Sequence, residues 1–136
     1  MRSFDQIANW VAERYTITAL EPFLLSVELS LAHGNRHQSV FLSELIDDDD
    51  RLVLRVSTIV GEADENGKNL AKALAFNWTT RSGYLALADI GGKSYLKLCE
   101  NHPYENLGLG ELERTLLRVG GMGDNIERQL QVNDAY

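Results

Sequence analysis

Phe23-Leu24-Leu25-Ser26-Val27-Glu28-Leu29-Ser30-Leu31 is the stretch that decides the fold of this chain. Phe23, Leu25, Val27, Leu29 and Leu31 alternate with Leu24, Ser26, Glu28 and Ser30. A period of two sends successive side chains to opposite faces of a strand, so one face is oily and the other mostly wet. His33-Gly34-Asn35-Arg36 follows with turn chemistry, since Gly and Asn tolerate positive φ. A second strand is expected over residues 37–46, with Val40, Leu42 and Ile46 on one side and Phe41 and Leu45 on the other. The four aspartates at 47–50 make the next turn, and residues 51–60 a third strand in which Leu52, Leu54, Val56 and Val60 share a face. Three strands joined by short polar turns predict an antiparallel meander.

Upstream, Phe4, Ile7, Ala8 and Val11 recur at helical spacing and predict a helix over residues 4–15. Ser3 and Gln6 have capping-box form at its start, and Asp5 suits the positive end of the helix dipole. Glu21-Pro22 breaks the chain before the alternation begins. Downstream, residues 61–67 form a polar connection. Leu70, Ala71, Leu74 and Trp78 then give a second helix over about 66–80, ended by Arg81-Ser82-Gly83. Residues 84–90 and 93–100 read as two strands, because Gly91-Gly92 between them is a hairpin signal of the primed-turn kind. An irregular loop with Pro103 spans 101–108. Leu109, Leu112, Leu116, Val119, Gly123, Ile126 and Leu130 then form a continuous helical stripe, interrupted by Gly120, Gly121 and Gly123. Either one long helix uses glycines to approach the sheet closely, or two shorter helices meet at a bend. The unbroken stripe favours one helix. The order is α-β-β-β-α-β-β-α, an α+β domain over residues 1–136 with a five-stranded antiparallel sheet packed against helices.

Composition restricts the functions open to such a domain. With 136 residues the chain buries a core without metals or disulfides, and Cys99, its one cysteine, has no intrachain partner. Twenty acidic against 13 basic residues give a charge of −7, which disfavours nucleic acid and anionic membrane as partners. The N-terminal residues lack the apolar stretch of a signal peptide, and no run is long enough to span a bilayer, so a cytoplasmic location is the expectation.

Motifs that would carry chemistry fail on their surroundings. Gly92-Lys93-Ser94 ends like a phosphate-binding loop, but position 87 is Leu and Lys93 opens a strand. His33 and His37 have a spacing that converges on a metal only along a helix, and here they flank a turn. The aspartates at 47–50 lack the alternation, glycine and distant glutamate of a calcium loop. Cys99 and His102 lack any sign of an activated thiolate, and Gly120-Gly121-Met122-Gly123 does not lie between strand and helix. Trp10 and Trp78 read as core or interface packing. No catalytic residue, metal ligand or cofactor site is therefore assigned. What remains is the second sheet face, which carries Leu24, Phe41, Val53, Ile59, Tyr84 and Tyr95. Aromatic and aliphatic residues gathered on one sheet surface suit contact with a partner polypeptide, with an edge strand as a further docking point.

The stretch Phe76-Asn77-Trp78, leading into Gly83-Tyr84-Leu85-Ala86-Leu87, the Gly91-Gly92 hairpin and Tyr95-Leu96-Lys97-Leu98, resembles the YbjN-like sensory-regulator family. The element order is similar to the secretion-chaperone-like fold that this family shares with bacterial type III secretion chaperones. The resemblance covers nearly the whole chain and implies a homodimer without cofactor or catalytic residues, with a partner segment held along the sheet. Leu74 and Trp78 on the second helix are the dimer anchors expected on that basis. The function expected is a non-catalytic protein-binding module, chaperone-like or regulatory. The alternatives are a small enzyme or ligand-binding domain in which His33, His37, His102, Cys99 and the aspartates 47–50 converge, and a structural subunit of a larger assembly.

Overall fold

Ser3 opens the first helix, α1 (Phe4–Ala12), its Oγ accepting from the Gln6 amide at 3.2 Å, while Gln6 Oε1 accepts from the Arg2 amide at 2.8 Å. Phe4, Ile7, Trp10 and Val11 turn one buried face toward a sheet. Helix α1 stops three residues short of the expected end, because residues 16–21 go into a strand that the sequence reading passed over. The computed structural model describes residues 2–31, 36–64 and 66–134, with side chains through residue 130. Its strands are β1 (Thr16–Glu21), β2 (Leu24–Ser30), β3 (His37–Ile46), β4 (Leu52–Glu62), β5 (Tyr84–Ile90) and β6 (Lys93–Pro103). Helix α2 (Lys68–Thr79) lies between β4 and β5, and α3 (Leu109–Asp134) closes the chain after a short 3-10 turn, Tyr104–Asn106.

The sheet thus has six strands where five were expected, in the order β1-β2-β3-β4-β6-β5, every neighbouring pair antiparallel. The element order becomes α-β-β-β-β-α-β-β-α. Strand β1 hides from pattern reading because its pairing with β2 shifts between Ile17 and Ala19. The extra residue puts Ile17 opposite Val27 and Leu20 opposite Leu25, so two residues three apart face the same side. Phe23 is not part of the alternation. It sits in the turn between β1 and β2 and is exposed. The Gly91-Gly92 turn joins β5 to β6 with φ of 60° and 84°, both in the left-handed region that a primed hairpin turn requires.

All three helices cover one face of this sheet. Leu25, Val27, Leu29, Val40, Leu42, Leu54 and Val56 form one core with α1, Tyr104, Leu107 and the first half of α3. Val60, Leu96 and Leu98 form a second with Ala73 and Phe76 of α2 and with Met122, Ile126 and Leu130 of α3. Helix α3 runs unbroken through its glycines and packs on β3, β4 and β6. Two of those glycines are where the helix touches the sheet. A Cβ on Gly120 would stand 2.7 Å from Leu29 Cδ1, and one on Gly123 would collide with Thr58 Cγ2, while Gly121 faces open space. Of the three glycines in this stretch, Gly120 and Gly123 are the ones the close approach of α3 depends on.

Candidate binding surfaces

With the helices gathered on one side, the opposite face of the sheet is left open. Strand alternation and register place Leu24, Phe41, Val53, Ile59, Tyr84 and Tyr95 on it. One row runs Ser26, Phe41, Ser57, Cys99, Tyr84 straight across β2, β3, β4, β6 and β5. Phe41, Ile59, Tyr84 and Tyr95 are half-buried and Leu24 is 38% exposed, so each keeps surface for contact. Val53 is 6% exposed and can only serve as floor. Ser26, Ser57 and Cys99 are small and buried beneath their neighbours, and Thr18 and Ser26 hydroxyls meet at 2.7 Å. Two cations also belong to this face and were not singled out in the sequence: Arg55, whose Nε donates to Asn101 Oδ1 at 3.1 Å, and Lys97, whose Nζ lies 4.7 Å over the Phe41 ring. Burial pulls the Lys97 ammonium below its ordinary pKa, and Arg55 adds to this.

Helix α2 supplies a second surface. Its buried side is Asn69 and Ala73, with Leu70, Phe76 and Asn77 partly covered. Ala71, Leu74, Ala75 and Trp78 point outward as a stripe at helical spacing, with Leu74 71% and Trp78 89% exposed. Trp10, by contrast, is in the core at 8%. The choice of buried face is made by asparagines, since apolar periodicity fits either side. Asn69 Nδ2 donates to the Glu62 carbonyl at 2.9 Å, and Asn69 Oδ1 accepts from the Asp64 amide at 2.9 Å. Asn77 acts as a short strand: its Oδ1 accepts from Leu85 N–H at 2.7 Å and its Nδ2 donates to the Leu85 carbonyl at 3.0 Å. That pair fastens α2 to the outer edge of β5 and occupies part of the edge a partner strand would need.

The reactive groups named in the alternative reading do not meet. Cys99 belongs to the open face, whereas His102, three residues on, belongs to the helix face and pairs with Glu100 Oε1 at 3.0 Å. Burial pushes the Cys99 thiol up, away from the thiolate that nucleophilic chemistry uses. His37 opens β3 and the aspartates follow its other end, about 30 Å away at strand rise. His33 lies outside the described residues. Asp47 is occupied in closing its own turn, with Oδ1 accepting from the amides of Asp49 and Arg51 at 2.9 Å each. Among the described residues no group of three or more His, Cys, Asp or Glu is placed to hold a metal, and no helix is long and apolar enough to cross a membrane.

Under α3 lies a buried ion pair. Glu100 is 5% exposed and takes Arg118 in a fork, Nε and Nη2 each 2.7 Å from a carboxylate oxygen. Burial works to raise the Glu100 pKa, but the hydrogen bonds from Arg118 and His102 and the Arg118 charge overcome it and hold the carboxyl at about 2. Its place inside the helix–sheet interface makes it a fastening of α3. Asp124, also 5% exposed, is held by Arg36 at 2.7 Å and Arg128 at 3.3 Å further along the same helix.

A single antiparallel sheet with three helices on one side and, among the described residues, a bare opposite face defines an α+β fold. No protein-family profile and no curated protein matches the sequence. Among solved structures the chain is similar to YbjN from E. coli, whose crystal structure is described as that of a proposed transcription regulator. The TM-score is 0.62 at 9% identity, over 97% of this chain and 93% of that one. At that identity the likeness concerns the fold.

Proposed function

We propose that this protein is a non-catalytic protein-binding module, chaperone-like or regulatory, that holds a partner polypeptide on its open sheet face. The observation that carries this reading is the one-sided arrangement of the helices, which leaves Phe41, Ile59, Tyr84 and Tyr95 on a six-stranded surface that no element of the described residues covers. Aromatic side chains bring large contact area at low entropic cost, which is why they concentrate at interfaces. The bare face is the favoured docking point over the β5 edge, since Asn77 already takes the outward main-chain groups at Leu85. The test is position-specific photocrosslinking in the native host, with benzoylphenylalanine replacing Phe41 or Tyr95 and, as control, the exposed Glu113 on α3. Polypeptide adducts at 41 and 95 that are missing at 113 are expected, and Phe41→Asp should abolish capture while the fold persists. Adducts of equal yield at all three positions, or none at 41 and 95, overturn the reading.

The exposed stripe on α2 supports self-association as part of the same function. Ala71 and Ala75 are small enough for a second helix to come close, and Leu74 and Trp78 would interlock across it. A 12-residue helix is about 18 Å long and about 10 Å wide, so one face of it covers far less than the area of about 800 Å² per subunit that stable interfaces bury. Leu87, 56% exposed and sharing a groove with Leu70, extends the apolar surface toward that size. Light scattering after size exclusion should give a dimer that Trp78→Ser dissociates. A strict monomer across the micromolar range removes this part of the reading.

A further inference from the structure

Arg55 on β4 and Lys97 on β6 are half-buried and have no carboxylate within ion-pair distance among the described residues, although acids outnumber bases in the chain 20 to 13. Scarcity of acids is not the reason. Arg36, Arg51, Arg114, Arg118 and Arg128 each hold at least one carboxylate. The two open-face cations are instead partnered by an amide and a ring, at Asn101 and Phe41. A guanidinium has five N–H donors and an ammonium three, so one hydrogen bond and one π-face leave most of their capacity unused.

Their spacing is informative. The register sets Arg55 opposite Asn101, Ser57 opposite Cys99 and Ile59 opposite Lys97. Arg55 and Lys97 therefore bracket the Ser57–Cys99 pair, two residues away on each side, and their backbones are about 14 Å apart. Phe41 and Tyr84 flank the same pair on β3 and β5. An extended segment lying along β4 and β6 presents side chains toward the sheet at every second residue, about 7 Å apart. Acids four residues apart reach the two cations once Lys97 swings off the Phe41 ring, and the residue midway between them then meets the rings of Phe41 and Tyr84. A polynucleotide would bring a phosphate at every nucleotide against these two cations and a Lys93 already paired with Glu62, on a chain of charge −7.

We propose that the open face selects an extended acidic polypeptide segment of the pattern acid–x–apolar–x–acid, with Arg55 and Lys97 as the carboxylate receptors. This rests on the reading of that face as a polypeptide site and adds the chemistry of the segment. Three fluorescein-labelled nine-residue peptides test it by anisotropy against the full chain: Thr-Val-Glu-Thr-Leu-Thr-Glu-Val-Thr, and the same peptide with both Glu replaced by Gln or by Lys. The Glu peptide is expected to bind about tenfold more tightly than the Gln peptide, and the Lys peptide more weakly still. The preference should vanish in Arg55→Gln/Lys97→Gln, and that variant should keep the wild-type melting temperature, because the cations are held for a partner. Equal binding of Glu and Gln peptides overturns the inference and leaves the polypeptide-binding reading standing. No binding by any of the three overturns both. A clearly lower melting temperature in the double variant would make the cations structural, and displacement of the Glu peptide by polyuridylate at stoichiometric amounts would give the face to nucleic acid. Either result removes the proposal.

Discussion

Replacing Gly123 by Ala tests how α3 is seated on the sheet. In a helix interior the change ordinarily stabilises by about 1 kcal/mol, because alanine loses less backbone freedom on folding. At position 123 the new methyl would overlap Thr58 Cγ2, and Thr58 cannot move aside. It is fully buried, and its Oγ1 accepts from Gln38 Nε2 at 2.8 Å and donates to the Ser39 carbonyl at 2.6 Å. Forcing a methyl into such a site costs about 1–3 kcal/mol in displaced backbone and strained rotamers, so Gly123→Ala should destabilise by a net amount of about 1 kcal/mol. The neighbouring Gly121→Ala meets nothing within 4 Å and should gain about 1 kcal/mol from propensity alone. Thr58→Ser keeps the hydroxyl and deletes only the obstructing methyl. Alone it should cost about 1 kcal/mol for the methyl lost from a packed interface. Combined with Gly123→Ala it should return the protein close to wild type, a coupling of about 2 kcal/mol between the sites. Urea unfolding followed by circular dichroism reads all four proteins. If Gly123→Ala proves as stable as Gly121→Ala, or if Thr58→Ser fails to rescue it, α3 does not approach the sheet as described.

Glu100 predicts an acid limb in stability. Its carboxyl is near 2 when folded and near 4.5 when unfolded, so its contribution is complete above pH 4.5 and is lost as pH falls toward 2. The loss is of order 3 kcal/mol in urea titrations at successive pH values, and a Glu100→Gln variant should show a flatter profile over that window. Arg118→Met leaves the buried carboxylate without its forked partner and should cost about 3 kcal/mol at pH 7, with the midpoint of acid unfolding moved upward. Asn77→Asp keeps an acceptor for Leu85 N–H but sets a carboxylate oxygen against the Leu85 carbonyl. Hydrogen exchange at Leu85 should accelerate markedly while amides on β2 and β3 are unchanged, and unaltered protection at Leu85 would refute the clasp.

How much of this was legible in the sequence depends on whether one period governed each element. Strands β2 and β3 carry alternation, β4 carries it as far as the register shift after Ile59, β5 and β6 flank a glycine hairpin, and α1 carries a single apolar stripe, so their existence and facing followed from pattern. Strand β1 did not, because the bulge at Thr18 gives Ile17 and Leu20 a helical spacing within an edge strand. The unbroken α3 was readable since its stripe continues through the glycines, but which glycines touch the sheet was not. Gly120, Gly121 and Gly123 are equivalent until the helix is laid across Leu29 and Thr58. On α2 the stripe through Leu74 and Trp78 was visible, and its exposure was not, because the deciding hydrogen bonds run from Asn69 and Asn77 to main chain distant in sequence. The apolar residues of the open face followed from alternation. Arg55 and Lys97 passed unnoticed for the complementary reason that isolated cations carry no pattern, and what marks them is that no carboxylate of the described residues lies within ion-pair distance.

The two surfaces lie on opposite sides of one sheet, and this geometry constrains how they work together. Helix α2 covers the helix face at the β5–β6 end, while Phe41, Tyr84, Arg55 and Lys97 look the other way. Two copies joined through Leu74 and Trp78 would therefore leave both open faces free, and self-association would not compete with partner capture. A partner carrying two suitable segments would meet two faces at once, and its second contact would form at the high effective concentration that tethering provides. Weak single-face binding through two half-buried cations and half-buried rings would then suffice for firm capture. A monomeric Trp78→Ser variant would retain the affinity of each face for a single segment and lose the advantage for a double one.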